Sequence, residues 1–209
     1  MSRPALIFDF GNVVAHFDYL KAASTLGRSL GLSGETVLDR LRPRGFSDQL
    51  KAYESGKMSA EEFSRVVSGM IGLEISHEDF ATAWADIFRL NESIAPLLAD
   101  LKAGGYTLVL GSNTNDLHAA HFRRQFAEHL AHFDRLVLSY EIGHIKPSPD
   151  FYLACAEAAK ADPGDCIFID DLPENVEGAI GAGLIGLLYR DTQMLIADLT
   201  ARGVAVAPR

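Results

Sequence analysis

Ala5-Leu6-Ile7-Phe8-Asp9-Phe10-Gly11-Asn12-Val13-Val14 decides the fold of this chain. A short apolar run leads into one carboxylate, a Phe-Gly-Asn turn follows, and the chain then becomes apolar again. The pattern predicts a buried strand that delivers Asp9 at its C-terminal end, where open parallel sheets bind ligands. A carboxylate directly after a hydrophobic strand is costly unless a metal, a substrate or a hydrogen-bonding network compensates it. An Asp ending a strand also serves as a helix cap or turn residue. Three later segments bear on the choice.

Away from this stretch the sequence changes character twice. From Asp18 to Phe88 helical periodicity predominates, with candidate helices over 18–30, 33–42, 47–55, 60–71 and 77–88. Ser33 and Ser59 read as N-caps, and Ser59-Ala60-Glu61-Glu62 as a capping box. From Ser93 onward helices alternate with short apolar strands: Tyr106 to Leu110, Leu136 to Leu138, Cys166 to Ile169 and Ile185 to Leu188. Helices are predicted over 93–103, 115–130, 149–160, 173–182 and 192–201. Alternating β and α units imply an α/β fold with a parallel sheet and helices on both faces. The helical unit reads as an insertion between the first strand and the rest.

Three of the later strands lead into a polar cluster. Gly111-Ser112-Asn113-Thr114-Asn115 can present side-chain and backbone donors to an anion, or cap a helix. Gly143-His144-Ile145-Lys146-Pro147-Ser148-Pro149 stiffens a loop around one lysine, a candidate fixed cation where most lysines are solvated. In Cys166-Ile167-Phe168-Ile169-Asp170-Asp171 two adjacent carboxylates repel each other, which points to a bound cation. Hard oxygen ligands suit Mg²⁺. Gly181-Ala182-Gly183-Leu184-Ile185-Gly186 matches G-x-G-x-x-G but leaves a helix for a strand, the reverse of a dinucleotide fingerprint. The pairs His118/His121 and His129/His132 lack the carboxylate of a zinc motif.

At 209 residues the chain can build one substantial core, or a core plus a small insertion. Its 28 acidic and 19 basic residues give a formal charge of −9, which argues against nucleic-acid or anionic-membrane partners. Any phosphate site must therefore draw on local cations, a metal or backbone amides. Cys155 and Cys166 form no CxxC pair and sit in apolar stretches, as buried reduced thiols do. The apolar run before Asp9 is too short for a signal peptide, and no stretch is long enough to span a membrane. A cytoplasmic protein is the expectation, as a monomer or homodimer.

Four polar clusters thus follow four strands in the order Asp, Ser/Asn, Lys, Asp-Asp, and in one sheet they converge on one edge. In this the sequence resembles the haloacid dehalogenase-like (HAD) hydrolase superfamily, with Asp9, Ser112, Lys146 and Asp170-Asp171 as the matching elements. Phe8-Asp9-Phe10-Gly11-Asn12-Val13-Val14, Leu110-Gly111-Ser112-Asn113-Thr114-Asn115 and Asp170-Asp171 look most like the glucose-1-phosphate phosphatase branch. The phosphatase domain of soluble epoxide hydrolases is similar too. The resemblance implies a doubly wound, Rossmann-like core over 1–15 and 90–209, with an all-helical cap over 16–89. It implies a Mg²⁺-dependent phosphatase of small phosphate monoesters, sugar phosphates foremost, working through an aspartyl-phosphate. Asp9 is then the nucleophile. Mg²⁺ is held by the Asp9 carboxylate, the Gly11 carbonyl and Asp171, with Asp170 as a further or outer ligand. Ser112 and the amide of Asn113 bind phosphoryl oxygens, and Lys146 stabilises both the nucleophile and the transferring group. The cap closes over the site, and Arg42, Arg44 and Tyr53 are its candidate substrate contacts.

One position departs from the family. Its phosphatases usually carry a second Asp two residues after the nucleophile, as acid for the leaving alcohol and then base for water; here that position is Gly11. A metal-independent 2-haloacid dehalogenase lacks that Asp, although Asp170-Asp171 argues against one. A catalytically weak, phospholigand-binding regulatory protein is the other alternative. The departure predicts a preference for esters whose leaving group departs unprotonated, unless His16, Asp18 or His144 donates the proton.

Overall fold

The computed structural model describes residues 3–206. The chain opens with β1 (Ala5–Phe8), passes through the short β2 (Ala15–Phe17) and enters a run of helices. These are α1 (Tyr19–Gly27), α2 (Gly34–Leu41), α3 (Phe46–Glu54), α4 (Ala60–Ile71) and α5 (His77–Ala85), after which the chain returns by β3 (Phe88–Leu90). There follow α6 (Ala95–Ala103), β4 (Leu108–Ser112), α7 (Asp116–Gln125), α8 (Ala127–Leu130), β5 (Arg135–Leu138) and α9 (Ser139–Ile142). The chain closes with α10 (Pro149–Ala159), β6 (Cys166–Asp170), α11 (Pro173–Gly181), β7 (Ile185–Leu188) and α12 (Thr192–Ala201).

The main sheet runs β5-β4-β1-β6-β7, and every pairing in it is parallel. Central β1 sets Ile7 opposite both Val109 and Phe168. The chain winds outward from β1 through β4 to β5, then crosses back to β6 and β7, so the order reverses at β1. A doubly wound sheet opens a crevice at that switch point. Buried on both faces, β1 reads as a continuous apolar run rather than an alternating one. Leu6, Phe8, Leu110 and Ile169 pack on one face; Ile7, Val109, Phe168 and Cys155 pack on the other. Cys155 and Cys166 are buried free thiols. Among the described residues no helix is long and apolar enough to cross a membrane.

Among the described residues side-chain caps set half of the α-helix starts. Asp18, Ser33, Ser59, Ser76, Asn115 and Asp191 each accept a hydrogen bond from a first-turn amide of the helix they precede. Several boundaries differ from the sequence expectation. The helix expected over 77–88 stops at Ala85, because Phe88–Leu90 pairs antiparallel with Ala15–Phe17. Three-residue strands carry too little periodicity to read. The strand expected from Tyr106 begins at Leu108, since the Tyr106 amide bonds back to the Leu101 carbonyl and closes α6. It runs on to Ser112, paired with Leu138. The helix expected over 115–130 breaks at Phe126 into α7 and α8.

The run of helices shares its apolar core with the sheet and is tied to it by polar contacts at the end of α3. Tyr53 Oη hydrogen-bonds Asp116 at the start of α7. Ser139 Oγ donates to the Glu54 carbonyl at 2.6 Å and accepts from the Thr114 amide at 2.9 Å. Gly56 adopts φ +67°, and a Cβ there would run into the Tyr140 carbonyl oxygen. Gly56→Ala combines a left-handed backbone with that collision and should lower stability by about 1–3 kcal/mol. Urea denaturation measures it; an unchanged midpoint would mean that the two backbones need no such close approach.

Candidate active site

Four strand ends deliver the polar groups to one edge of the sheet. Asp9 follows the last residue of β1 and stays only 7% exposed, its Oδ1 accepting from the Phe10 amide at 2.7 Å. Lys146, carried by the loop between α9 and α10, is 5% exposed. Its Nζ lies 2.7 Å from Asp9 Oδ1 and 2.7 Å from Asp170 Oδ2. Asp170, the last residue of β6, is fully buried. Its Oδ1 also accepts from the Leu172 amide at 2.9 Å, and Asn175 Nδ2 reaches both oxygens at 3.0 and 3.1 Å. Asn113 holds the lysine's backbone: its Oδ1 accepts from the Lys146 amide at 2.8 Å and its Nδ2 donates to the Lys146 carbonyl at 3.2 Å. Ser112 is buried beside them, its hydroxyl turned to the Asn113 carbonyl at 3.3 Å.

The electrostatics follow from burial. Desolvation pushes the Asp9 carboxyl up to about 7; Lys146 opposes the rise and Asp170 adds to it. Burial alone would lower Lys146, but the flanking Asp9 and Asp170 carboxylates hold it above its ordinary range and fully charged. Asp171 is raised too, by burial, against a 3.0 Å hydrogen bond from Asn12 Nδ2. Asn12 reaches Asp171 from a left-handed backbone, φ 56°, which Asn tolerates better than most residues. Asp9, Asp170 and Asp171 each offer a carboxylate oxygen within 4.8 Å of the others. Three hard oxygen donors with one ammonium between them fit a divalent cation such as Mg²⁺. Asp170 is already engaged by Lys146, Asn175 and the Leu172 amide, which leaves Asp9 and Asp171 as the more open donors.

A cavity of about 260 Å³ covers this cluster. Asp9, Ser112, Asn113, Lys146 and Asp171 line its floor, while Phe17, Tyr19, Glu54, Ile87 and Phe88 line its roof. The sequence expectation about the roof needs correction. Arg42 and Arg44 are absent from the lining: Arg42 pairs with Asp39 at 2.9 Å on the surface, and Arg44 donates to the Arg40 carbonyl. Tyr53 is buried and spent on Asp116.

The residue that sequence reasoning missed is Glu54, immediately after Tyr53. Nothing in Tyr53-Glu54-Ser55-Gly56 distinguishes this carboxylate from a solvated helix-end residue. His118 also lines the cavity, but both ring nitrogens are committed: Nδ1 to Asn115 at 3.0 Å and Nε2 to the Trp84 carbonyl at 3.1 Å. Burial drives it down to about 3, so it is a neutral packing residue stacked on Trp84. Of the groups proposed to replace a missing acid, Asp18 caps α1, and His144 lies 3.5 Å from Asp150 on the surface. His16 sits in β2, and none of the three lines the cavity.

Comparison with known proteins agrees with this geometry. The family model of the haloacid dehalogenase-like hydrolases matches residues 4–183. D-ribitol-5-phosphate phosphatase of Bacteroides thetaiotaomicron is 29% identical over 178 residues, 82% of this chain and 84% of that protein. Bifunctional epoxide hydrolase 2 of Rattus norvegicus is 32% identical over 114 residues, 53% of this chain and 20% of that protein. A HAD family enzyme of Bacteroides thetaiotaomicron, solved with magnesium and inorganic phosphate, superposes with a TM-score of 0.75 at 25% identity. That match covers 93% of this chain and 99% of the other.

Burial in the cavity roof pushes the Glu54 carboxyl from 4.5 up to about 7; Lys146 opposes this and Asp9 adds to it. Tyr19 is raised by burial and then by Glu54 itself. An acid whose folded value lies above its unfolded one favours the fold while protonated. That contribution is complete below the unfolded value and is lost as pH rises through the folded one. Glu54→Gln should therefore gain Tm relative to the parent between about pH 5 and pH 8. Thermal melts in EDTA across that range test it; a constant difference would place the carboxylate in water.

Proposed function

The chain belongs to the haloacid dehalogenase-like hydrolases, and from that premise we propose that it is a Mg²⁺-dependent phosphatase of small phosphate monoesters, sugar phosphates among them, working through an aspartyl-phosphate. The observation that carries this reading is the Asp9–Lys146–Asp170 cluster, with Asp171 beside it, at the switch point of the sheet. A 2-haloacid dehalogenase needs no cation, and three converging carboxylates would be a costly ornament to its site.

Attack by one anion on another needs charge neutralisation and fixed geometry. Residues 1–15 and 90–209 supply the catalytic core, and residues 16–89 form the cap that roofs it. Asp9 Oδ attacks phosphorus, the bond to the leaving oxygen breaks, and water later releases phosphate from the acyl phosphate. Ser112 and the Asn113 backbone amide receive phosphoryl oxygens. Lys146 holds Asp9 in position and stabilises the negative charge of the transferring group, while Asp170 orients Lys146. Asp9, the Gly11 carbonyl and Asp171 would hold the Mg²⁺, with Asp170 as a further or outer ligand. When bound, Mg²⁺ supplies charge neutralisation between nucleophile and phosphoryl group.

The small cavity suits a compact leaving group, and its mixed lining of Phe17, Tyr19 and Phe88 with Glu54 suits one that is part hydroxylated and part apolar. The D-ribitol-5-phosphate phosphatase relative is named for a compact, hydroxylated substrate.

A panel of phosphorylated metabolites assayed with Mg²⁺ tests the reading directly, with EDTA as control. Phosphate release should depend on Mg²⁺ and vanish in Asp9→Asn, a variant that keeps the parent's circular dichroism. Full activity in EDTA, or chloride release from 2-haloacids, would refute it. Lys146→Ala should lose on the order of 10²-fold or more, chiefly in kcat. Near-parental kinetics in that variant would remove Lys146 from the reaction.

A further inference from the structure

The reaction proposed above needs a proton for the leaving oxygen, and Gly11 has none to give. Nor is there ready space for an acid at that position. A Cβ on Gly11 would lie 2.9 Å from Phe17 Cε1, so the ring of Phe17 fills the volume into which a longer side chain would grow. The proton donor must come from elsewhere among the groups that line the cavity.

Most of those groups are committed. Lys146 is clamped between Asp9 and Asp170. Asp171 takes the Asn12 amide and belongs to the acidic cluster. His118 has both nitrogens bonded and stays neutral. The Tyr19 hydroxyl is held far above its ordinary value by burial and by Glu54, which makes it a poor source of a proton. Glu54 remains. Among the described residues its side chain has no hydrogen-bond partner, and it lines the same cavity as Asp9, Ser112 and Lys146.

Its placement is firm. Glu54 is the last residue of α3, and its carbonyl is tied to Ser139, whose hydroxyl also takes the Thr114 amide. Tyr53 on one side bonds Asp116, and Gly56 on the other lies against the Tyr140 backbone. The segment that carries the carboxyl is thus fastened to the start of α7 and to α9, the helices that follow β4 and β5, while Asn113 and Lys146 lie in the loops beside them. Its position at a helix C-terminus, where the backbone dipole disfavours a negative charge, helps keep it protonated. Burial acts the same way and lifts it to about 7, within reach of both protonation states near neutral pH.

We propose that Glu54 is the general acid and base of this phosphatase, supplied from the helical unit in place of the side chain that Gly11 lacks. The inference rests on the phosphatase reading. As Asp9 Oδ bonds to phosphorus, the electron pair of the breaking P–O bond goes to the leaving oxygen, which takes the proton from the Glu54 carboxyl and departs as a neutral alcohol. The Glu54 carboxylate then takes a proton from the water that attacks the aspartyl-phosphate. The electron pair of the bond between Asp9 and phosphorus returns to Asp9, phosphate leaves, and both carboxyl groups are back in their starting states.

The test is the dependence of kcat/KM on leaving-group basicity, over phenyl phosphates from p-nitrophenyl to unsubstituted phenyl and on to ethyl phosphate. None of these carries a sugar hydroxyl, so recognition of the leaving group does not confound the slope. The parent should give a shallow slope. Glu54→Gln should keep p-nitrophenyl phosphate within a few-fold and lose about 10²–10⁴-fold at the ethyl end. It should also release a burst of p-nitrophenol before a slow steady state, because the second half-reaction has lost its base. Glu54→Asp should fall between the two. A steep slope in the parent would overturn the proposal without any variant. So would an equal loss in Glu54→Gln across the whole series, which would make Glu54 a binding or positioning residue. A parent inactive on every ester with Mg²⁺ would instead bring down the phosphatase reading, and this inference with it.

Discussion

A single ammonium between two buried carboxylates holds this structure together at its functional edge. Removing charges from water costs several kcal/mol per ion, and the cost is recovered only with close geometry and with every remaining lone pair satisfied. Lys146 lies 2.7 Å from both Asp9 and Asp170, while the Phe10 and Leu172 amides and Asn175 complete the carboxylates. These groups come from the end of β1, the loop before α10, the end of β6 and the first turn of α11. A one-residue slip of β6 against β1 would turn Asp170 to the other face and leave Lys146 half paired. The register of the sheet and the geometry of the site therefore constrain each other.

Carboxylates outnumber the ammonium at this point, and that excess sets the chemistry. Burial lifts Asp9 to about 7 and raises Asp171, the neighbouring carboxylates add to both shifts, and a cation in their midst relieves them. In a chain of formal charge −9, an anion is not drawn in from a distance. It has to be met by local groups: the cation, Lys146, and donors at the ends of the strands.

The roof obeys a different constraint. It is largely aromatic, with Phe17, Tyr19 and Phe88 facing the polar floor, and one acid set among them. Trp84, Phe63 and Phe80 pack in face and edge contacts behind this layer, with His118 stacked on Trp84. The helical unit shares one apolar core with a face of the sheet, with Trp84 against His118 and Phe88 against Phe10, and adds polar ties at the end of α3. Those ties hold the roof to the start of α7 and to α9, next to the loops that carry Asn113 and Lys146.

Much of this was legible in the residues. The strands β1 and β6, the caps at Ser33 and Ser59, and the order Asp, Ser/Asn, Lys, Asp-Asp all come from local changes of polarity at strand ends, where backbone direction dictates the side chains' destination. The α/β class follows from the same alternation. What stayed hidden had no local signature: the β2–β3 ribbon is too short to show a period, and Arg42 and Arg44 look available until their surface partners Asp39 and the Arg40 carbonyl are seen. Glu54 is the clearest case. In sequence it is one more acid at a helix end; in space it lines one cavity with Asp9, Lys146 and Tyr19. Sequence alone determined which groups the strands deliver, because delivery is set by neighbours along the chain. Only the tertiary structure decided which distant side chain shares their low-dielectric space, because burial is a property of what packs around a group and not of what precedes it.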